Sequence, residues 1–201
     1  MLTVNPIDFP DWDDLLASFP DYSFFHTSTW AGVLHESYGY EPLYIVPNGQ
    51  NALPAALPLM EVRSFLTGTR GVSLPFTDHC EPVATRSSHL EGLIDFAIDC
   101  GRKRRWRYLE LRGGQSLLAR NEPSEVYLGH TLDLDRDPDR VFFRLRHSTK
   151  RNIRKAEREG VSVEITRSPE AMAEFCRLNC LTRKEHGLPP QPWNFFRGVR
   201  Q

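Results

Sequence analysis

Val141-Phe-Phe-Arg-Leu-Arg-His-Ser-Thr-Lys150-Arg-Asn-Ile-Arg-Lys-Ala-Glu-Arg-Glu-Gly160-Val161 is the stretch on which the fold reading turns. Phe142, Leu145, Thr149, Ile153 and Ala156 recur at steps of three and four. That spacing predicts one helix, with this line buried against a sheet. Lys150, Arg151, Arg154, Lys155 and Arg158 fill the adjoining surface. Gly160 stands where a helix ends in a left-handed residue, and Val161-Ser-Val-Glu-Ile165 follows with the period-two alternation of a half-buried strand. Taken alone, such a basic helix reads most simply as a solvated charged face.

Working outward, the elements on either side predict a mixed α/β fold. Toward the amino terminus, Tyr127–Leu134 reads as a strand, Trp106–Leu111 as another, and Leu90, Leu93, Ile94, Ala97 and Ile98 as the apolar side of a helix between strands. The basic knot Arg102-Lys-Arg-Arg105 separates that helix from its strand. Earlier still, Pro42–Val46 and Leu53–Val62 form a hairpin whose prolines favour an edge position, and Thr69–Phe76 gives a further strand. Trp12, Leu15, Leu16 and Phe19 predict a first helix. Thr27 or Ser28 caps a second, which presents Trp30, Val33, Leu34 and Tyr38 on one side and ends at Gly39. Toward the carboxyl terminus, Ser168-Pro169 opens a long helix that Gly187, Pro189 and Pro190 stop, and Gln191–Gln201 begins another aromatic-rich element.

Length and composition narrow the classes. The 201 residues are 40% apolar, enough for one full domain with a real core and part of another. Net charge is −1, but residues 1–62 hold eight carboxylates and no Lys or Arg, so the remainder carries about +7. A positive second half suits phosphate, pyrophosphate or carboxylate ligands. The amino terminus has neither a basic nor an apolar leader region, and Leu53–Met60 falls far short of the ~20 residues of a membrane helix. These features predict a cytoplasmic protein without a membrane span. Cys80, Cys100, Cys176 and Cys180 show no framework spacing and read as ordinary thiols.

Several constellations bear on chemistry. In Asp78-His79-Cys80 adjacent side chains point in different directions, which disfavours a working Cys–His pair; presentation of Asp78 or His79 into a cleft is the milder functional reading. Gly113-Gly114 lacks the lysine of a P-loop and reads as a turn. Cys176, Cys180 and His186 lack a second ligand pair, so no metal is expected. Trp30, Tyr38 and Tyr40 line either a pocket or the core. The basic helix fits a phosphate clamp in an enzyme, a contact for tRNA or other RNA backbone, or a partner for the acidic amino-terminal half; charge alone does not choose among them.

Five segments in order resemble one family. They are Phe25-His-Thr-Ser-Thr-Trp30 with Tyr38-Gly39, Leu57–Val62, Ser73-Leu-Pro-Phe-Thr-Asp-His-Cys-Glu-Pro82, Lys150–Val161, and Leu181-Thr-Arg-Lys-Glu-His-Gly-Leu-Pro-Pro-Gln-Pro192 before Phe195-Phe196. The pattern resembles the FemA/FemB-like acyltransferases, in the CelD-like branch of the GNAT superfamily. The resemblance implies two GNAT-like mixed α/β domains, here residues 1–160 and the beginning of a second at 161–201, in a carboxyl-terminally truncated chain. It implies transfer of an acyl or aminoacyl group to an amine in cell-envelope or polysaccharide metabolism. The donor is then an acyl-CoA such as acetyl-CoA, or an aminoacyl-tRNA. The Gln/Arg-x-x-Gly-x-Gly pyrophosphate loop of the superfamily is expected beyond Gln201. Motif position and charge point to Trp30, Phe76, Asp78, His79, Lys150, Arg154, Arg183 and His186 as ligand contacts, and no catalytic base is assigned. The reading from a different class is a noncatalytic RNA-binding module using the Arg102–Arg107 and Arg144–Arg158 clusters.

Overall fold

Tyr44, Ile45 and Val46 are all buried, which a strand achieves only when helices cover both of its faces. The computed structural model describes residues 1–49, 53–90, 92–114 and 122–200. The chain divides into two compact units, one made of Met1–Asn121 with Met172–Gln201 and one of Glu122–Ala171.

In the first unit β1 (Leu2–Val4) leads to α1 (Trp12–Leu16) and α2 (Ser28–Tyr38). Strands β2 (Glu41–Pro42), β3 (Tyr44–Val46), β4 (Ala55–Ala56), β5 (Met60–Ser64), β6 (Gly68–Val72) and β7 (Val83–Ala84) follow, then α3 (Leu93–Arg104) and β8 (Leu109–Glu110). The main sheet has the order β2-β5-β6-β8, antiparallel except for the parallel β6–β8 pair, with two-stranded ladders β1-β3 and β4-β7 beside it. The Pro42–Val46 and Leu53–Val62 runs do pair. Leu43 N–H donates to the Leu59 carbonyl, and Ile45 and Leu57 exchange both backbone bonds. The prolines reduce the predicted long strands to short pieces, because each one removes a ladder donor.

Alternation then sorts the side chains. Tyr44, Val46, Ala56 and Met60 pack on the side of α1 and α2 with Trp12, Leu16, Trp30 and Leu34. Ile45, Ala55, Leu57 and Leu59 pack on the opposite side with Leu93 and Ala97 of α3. The second helix forms where its signals predict: Thr27 Oγ1 accepts from Trp30 N–H, and Gly39 at φ 67° closes it. The chain turns from α3 into β8 through Trp106, whose indole fills the space left by two missing side chains. A β-carbon at Gly71 would fall inside this ring, and one at Gly101 would lie 2.9 Å from it. Trp106 Nε1 donates to Glu61 at 2.6 Å, and Arg63 and Arg104 also donate to this carboxylate. Burial pushes the Glu61 carboxyl up, but the Trp106 and Arg63 hydrogen bonds and the Arg104 charge outweigh it, so it lies below its ordinary value.

The first unit is completed by most of α6 (Pro169–Glu185) and by α7 (Trp193–Arg200), the aromatic-rich element expected at the carboxyl terminus. Phe196 is buried, and Phe195 packs onto the α1–α2 side of the core. Gly187 at φ 67° ends α6, as its sequence predicts. Ser168 caps it, its Oγ accepting from Ala171 N–H.

The second unit corrects the opening prediction. The basic stretch forms two helices, α4 (Pro138–Arg144) and α5 (His147–Arg158), with Leu145 and Arg146 extended between them. A local contact accompanies the break. Lys150 Nζ reaches back to donate to the Phe143 carbonyl at 2.6 Å and lies 5.9 and 5.6 Å from the centres of the Phe142 and Phe143 rings. In an unbroken helix residues 143 and 150 would be about 10 Å apart along the axis, out of such reach. The ammonium instead satisfies a carbonyl orphaned at the end of α4. None of the predicted apolar line is buried: Phe142, Leu145, Ile153 and Ala156 are half-buried and Thr149 is exposed. Gly160 is left-handed, at φ 72°, as expected. The strands expected at Val161–Ile165 and Tyr127–Leu134 do not form; among the described residues neither segment joins a β-ladder, and Val163 and Ile165 are 86% and 96% exposed.

Candidate functional site

The turn after β6 takes an uncommon path. Leu74 and Phe76 both have left-handed backbones, at φ 58° and 62°, a conformation that costs about 1–3 kcal/mol at a bulky residue and persists only where its surroundings impose it. Here they do. Arg112 Nη1 donates to the Thr77 carbonyl at 2.6 Å, Arg112 N–H donates to Ser73 Oγ at 2.7 Å, and Thr77 Oγ1 donates to the Leu74 carbonyl at 2.8 Å. The Leu74 side chain enters the core, while Phe76 stays 41% exposed.

Phe76 stacks on Tyr38 at the end of α2, with ring centres 4.8 Å apart, and Tyr38 stacks on Tyr40 at 5.2 Å. Phe195 of α7 closes the group, 5.6 Å from Phe76, 5.8 Å from Tyr38 and 6.0 Å from Trp30. Three elements distant in sequence thus build one aromatic platform in the first unit. Two arginines act on it: Arg183 bears electrostatically on Tyr38, and Arg70 on Tyr40. Burial and the neighbouring Tyr40 push the Tyr38 hydroxyl up to about 12, with Arg183 opposing, so it remains a neutral donor near pH 7. Among the described residues, four side-chain atoms are buried without a hydrogen-bond partner: Tyr44 Oη in β3, and Trp30 Nε1, Ser37 Oγ and Tyr38 Oη, which belong to α2. Each such atom costs about 1–3 kcal/mol, so a helix carrying three of them beside stacked rings and arginines is a candidate for ligand contact.

Of the residues predicted from sequence, Phe76 belongs to this platform, Trp30 backs it from the core at 5% exposure, and Arg183 bears on it electrostatically through Tyr38. Asp78 and His79 follow it on the same loop, both exposed, with His79 Nε2 3.7 Å from Glu81 Oε1. Glu81 also accepts from Gly114 N–H at 2.9 Å, so Gly113-Gly114 is a turn that holds this loop. His186 is exposed one turn beyond Arg183. Arg183 itself donates to Gln191 Oε1 at 3.3 Å, which ties the end of α6 to the segment that enters α7. Arg70 and Arg112 were missed by the sequence reading, since neither a strand arginine nor one after a strand carries a local signal of what it touches.

Cys80 is not a nucleophile in this arrangement. It is 1% exposed, burial pushes its thiol up to about 12, and its Sγ lies 3.8 Å from His26 Nε2. The Glu81 carbonyl only accepts, so the His26 Nε2 that approaches it at 2.8 Å carries the proton, leaving Nδ1 to accept from Ser23 N–H. A histidine held in that tautomer offers the thiol no basic nitrogen. Burial also lowers the His26 pKa, which keeps the ring neutral.

In the second unit Lys150 and Arg154 share one face of α5. With His147, Arg151, Glu157 and Arg158 they line an open concavity of about 830 Å³. Arg154 lies 5.8 Å from the Phe142 ring centre, and Lys150 is held as described above, so both heads are positioned by α4. Lys155 instead pairs with Glu159 at 3.7 Å. The face presents several cations to one small volume, as binding of a multiply charged anion requires.

Among the described residues no cluster of His, Cys, Asp or Glu has the arrangement of a metal site, and no helix is long and apolar enough to cross a membrane. The sequence matches no known protein-family profile and no curated protein. Solved structures do match. The crystal structure of FemX superposes on 93% of this chain with a TM-score of 0.61 at 15% identity. The chain has the fold of FemX. The mixed sheet with flanking helices expected from the FemA/FemB-like resemblance is the observed architecture, and FemX shares it. The chain spans about half the length of FemX, 51% of it. A ribosomal-protein-alanine N-acetyltransferase from Brucella melitensis biovar Abortus 2308 also aligns, over 66% of this chain and 97% of its own, with a TM-score of 0.41 and 16% identity.

Proposed function

We propose that the chain is part of a GNAT-type N-acyltransferase, FemA/FemB-like and CelD-like, that moves an acetyl or aminoacyl group from a thioester or ester donor to an amine in cell-envelope or polysaccharide metabolism. The observation that carries this reading is the FemX fold over nearly the whole chain. We keep in this reading the division expected at residue 160, with 1–160 as a first GNAT-like domain and 161–201 as the opening of a second, of which residues 172–201 pack in one compact unit with 1–121.

The chemistry assigns distinct tasks to the two candidate regions. A neutral amine attacks the donor carbonyl, the tetrahedral oxyanion collapses, and the thiol of CoA or the hydroxyl of a tRNA leaves with a proton. The platform offers the exposed Phe76 ring, backed by Tyr38, Phe195 and the buried Trp30, to a planar or sugar ring, and Arg183 and Arg70 supply charge for an attached anion. Asp78 and His79 supply polar groups from the adjoining loop, and His186 from the end of α6. Lys150 and Arg154 hold the phosphates of acetyl-CoA or of a tRNA acceptor end.

The test is calorimetric titration of acetyl-CoA and of an aminoacyl-tRNA into the 201-residue protein, with mass spectrometry of an added amine acceptor. One donor is expected to bind saturably, and Lys150→Ala with Arg154→Ala is expected to weaken it roughly 10- to 100-fold without a change in melting temperature. Unchanged affinity in the double variant removes the phosphate role of α5. Failure of both donors, with uncharged RNA still bound along a steep salt slope, replaces the enzyme with the noncatalytic RNA-binding module.

A further inference from the structure

The β5–β6 hairpin ends in a feature that the acyltransferase reading does not use. Phe65 and Leu66 stand side by side at its tip, 103% and 86% exposed. The turn beneath them is ordered by its own hydrogen bonds. Ser64 pairs with Gly68 at φ 80°, which closes a three-residue loop, and Thr67 N–H donates to Ser64 Oγ at 3.2 Å. Two arginines are bound to the same turn: Arg70 Nη1 donates to Thr67 Oγ1 at 2.9 Å, and Arg107 Nη1 to the Thr67 carbonyl at 3.1 Å. The Arg107 stem lies flat on the ribbon, so close to Gly68 that a β-carbon there would meet its Cδ at 2.6 Å. Tyr108, 49% exposed, follows it.

Among the described residues Arg70 and Arg107 form no ion pair, whereas Glu41 and Glu61 on the same sheet are already taken by Arg63 and Arg104. Strand alternation places Arg70 on the face shared with Val62, and Arg107 comes from the chain entering β8, so cations flank the ribbon from two directions. The result is an apolar point with a cationic collar directly below it.

We propose that this hairpin tip is an anchor for anionic membrane surfaces, inserting Phe65 and Leu66 among the lipids while Arg70 and Arg107 engage headgroup phosphates. Two adjacent side chains cover far less than the roughly 800 Å² per partner of a stable protein interface. They suffice for reversible lipid binding when a basic patch supplies the second attraction. A second copy of the chain is a poor occupant, because a symmetric contact at this tip sets its arginines against their own images. The proposal shares Arg70 with the acyl-transfer reading, and its other residues, Phe65, Leu66 and Arg107, take no part in that reading.

Co-sedimentation of the 201-residue protein with lipid vesicles tests it. Binding is expected on phosphatidylcholine containing about one-third phosphatidylglycerol, and little on phosphatidylcholine alone. Phe65→Ser with Leu66→Ser, at positions exposed enough to leave folding intact, is expected to weaken binding at least ~10-fold. Arg107→Gln is expected to weaken it and flatten its salt dependence. Fluorescence of a Phe65→Trp variant, quenched by brominated acyl chains more strongly than the wild type, supports insertion. Absence of binding to the anionic vesicles, or equal binding by the Phe65/Leu66 double variant, overturns the proposal. So does self-association in sedimentation equilibrium that the same double variant abolishes, since the tip is then a contact between copies.

Discussion

Met60-Glu-Val-Arg-Ser64 and Val161-Ser-Val-Glu-Ile165 carry similar alternating patterns, yet only the first is a strand. Met60 and Val62 face a helix layer, and their backbone is paired with β2 on one side and β6 on the other. Val161, Val163 and Ile165 have the higher β-propensity, but among the described residues no strand pairs with them, and all three are exposed. Alternation supplies a face to bury and does not supply what buries it. A lone strand leaves its ladder unpaired, so even favourable residues gain nothing by extending.

Hydrogen exchange probes that contrast most strongly. Amides of β5 and β6 are expected to exchange at least ~10³-fold more slowly than those of Val161–Ile165, because the former open only with the core and the latter need no opening. Comparable protection in the two segments, measured by mass spectrometry on the intact chain, would break the comparison.

The two regions also differ in how they hold charge, and this sets a second, smaller effect. Glu61 is 2% exposed among Trp106, Arg63 and Arg104, whereas the cations lining the α5 concavity lie open to solvent. Glu61→Leu is expected to cost about 2–4 kcal/mol in urea denaturation, since it strands the Trp106 donor and the Arg104 charge. The pH dependence follows from the direction of the shift. Glu61 titrates below its ordinary 4.5 in the folded chain, so its contribution is complete above 4.5 and is lost as pH falls from there through the folded value. His26, lowered from 6.5 chiefly by burial, adds a loss that begins as pH falls below 6.5. The Glu61 variant should therefore lose the acid-side part of the stability profile and retain the His26 part. An unchanged profile would show that the carboxylate network is not coupled to folding.

Legibility followed the same division. The second helix could be read from sequence because its start and stop are local: Thr27 caps it, Gly39 ends it, and nothing distant is needed. The break at Leu145-Arg146 could not, because periodicity carries no term for the contact between the Lys150 ammonium and the Phe143 carbonyl that accompanies it. At the candidate site Trp30, Phe76, Asp78 and Arg183 lie in segments that the family resemblance marks. The left-handed backbone that turns Phe76 toward Tyr38 was illegible, since it opposes the preference of the residue and is imposed by Arg112 and Thr77 from outside. Arg70 was hidden for a related reason: a strand arginine reads as a solvent-facing charge until the neighbouring Tyr40 is known.

The smallest expected effect is the most discriminating for the opening comparison. Trp12, 2% exposed and in edge contact with Phe9 and Tyr44, should cost about 3–5 kcal/mol when replaced by Ala. Ile165→Ala removes another large apolar side chain, yet at 96% exposure it should change stability by less than about 0.5 kcal/mol. Paired urea titrations of the two variants measure the difference directly. Because the isoleucine makes no buried contact, any loss beyond that limit requires Val161–Ile165 to be covered in solution. The unpaired alternation would then be a strand whose partner the 201-residue chain finds for itself.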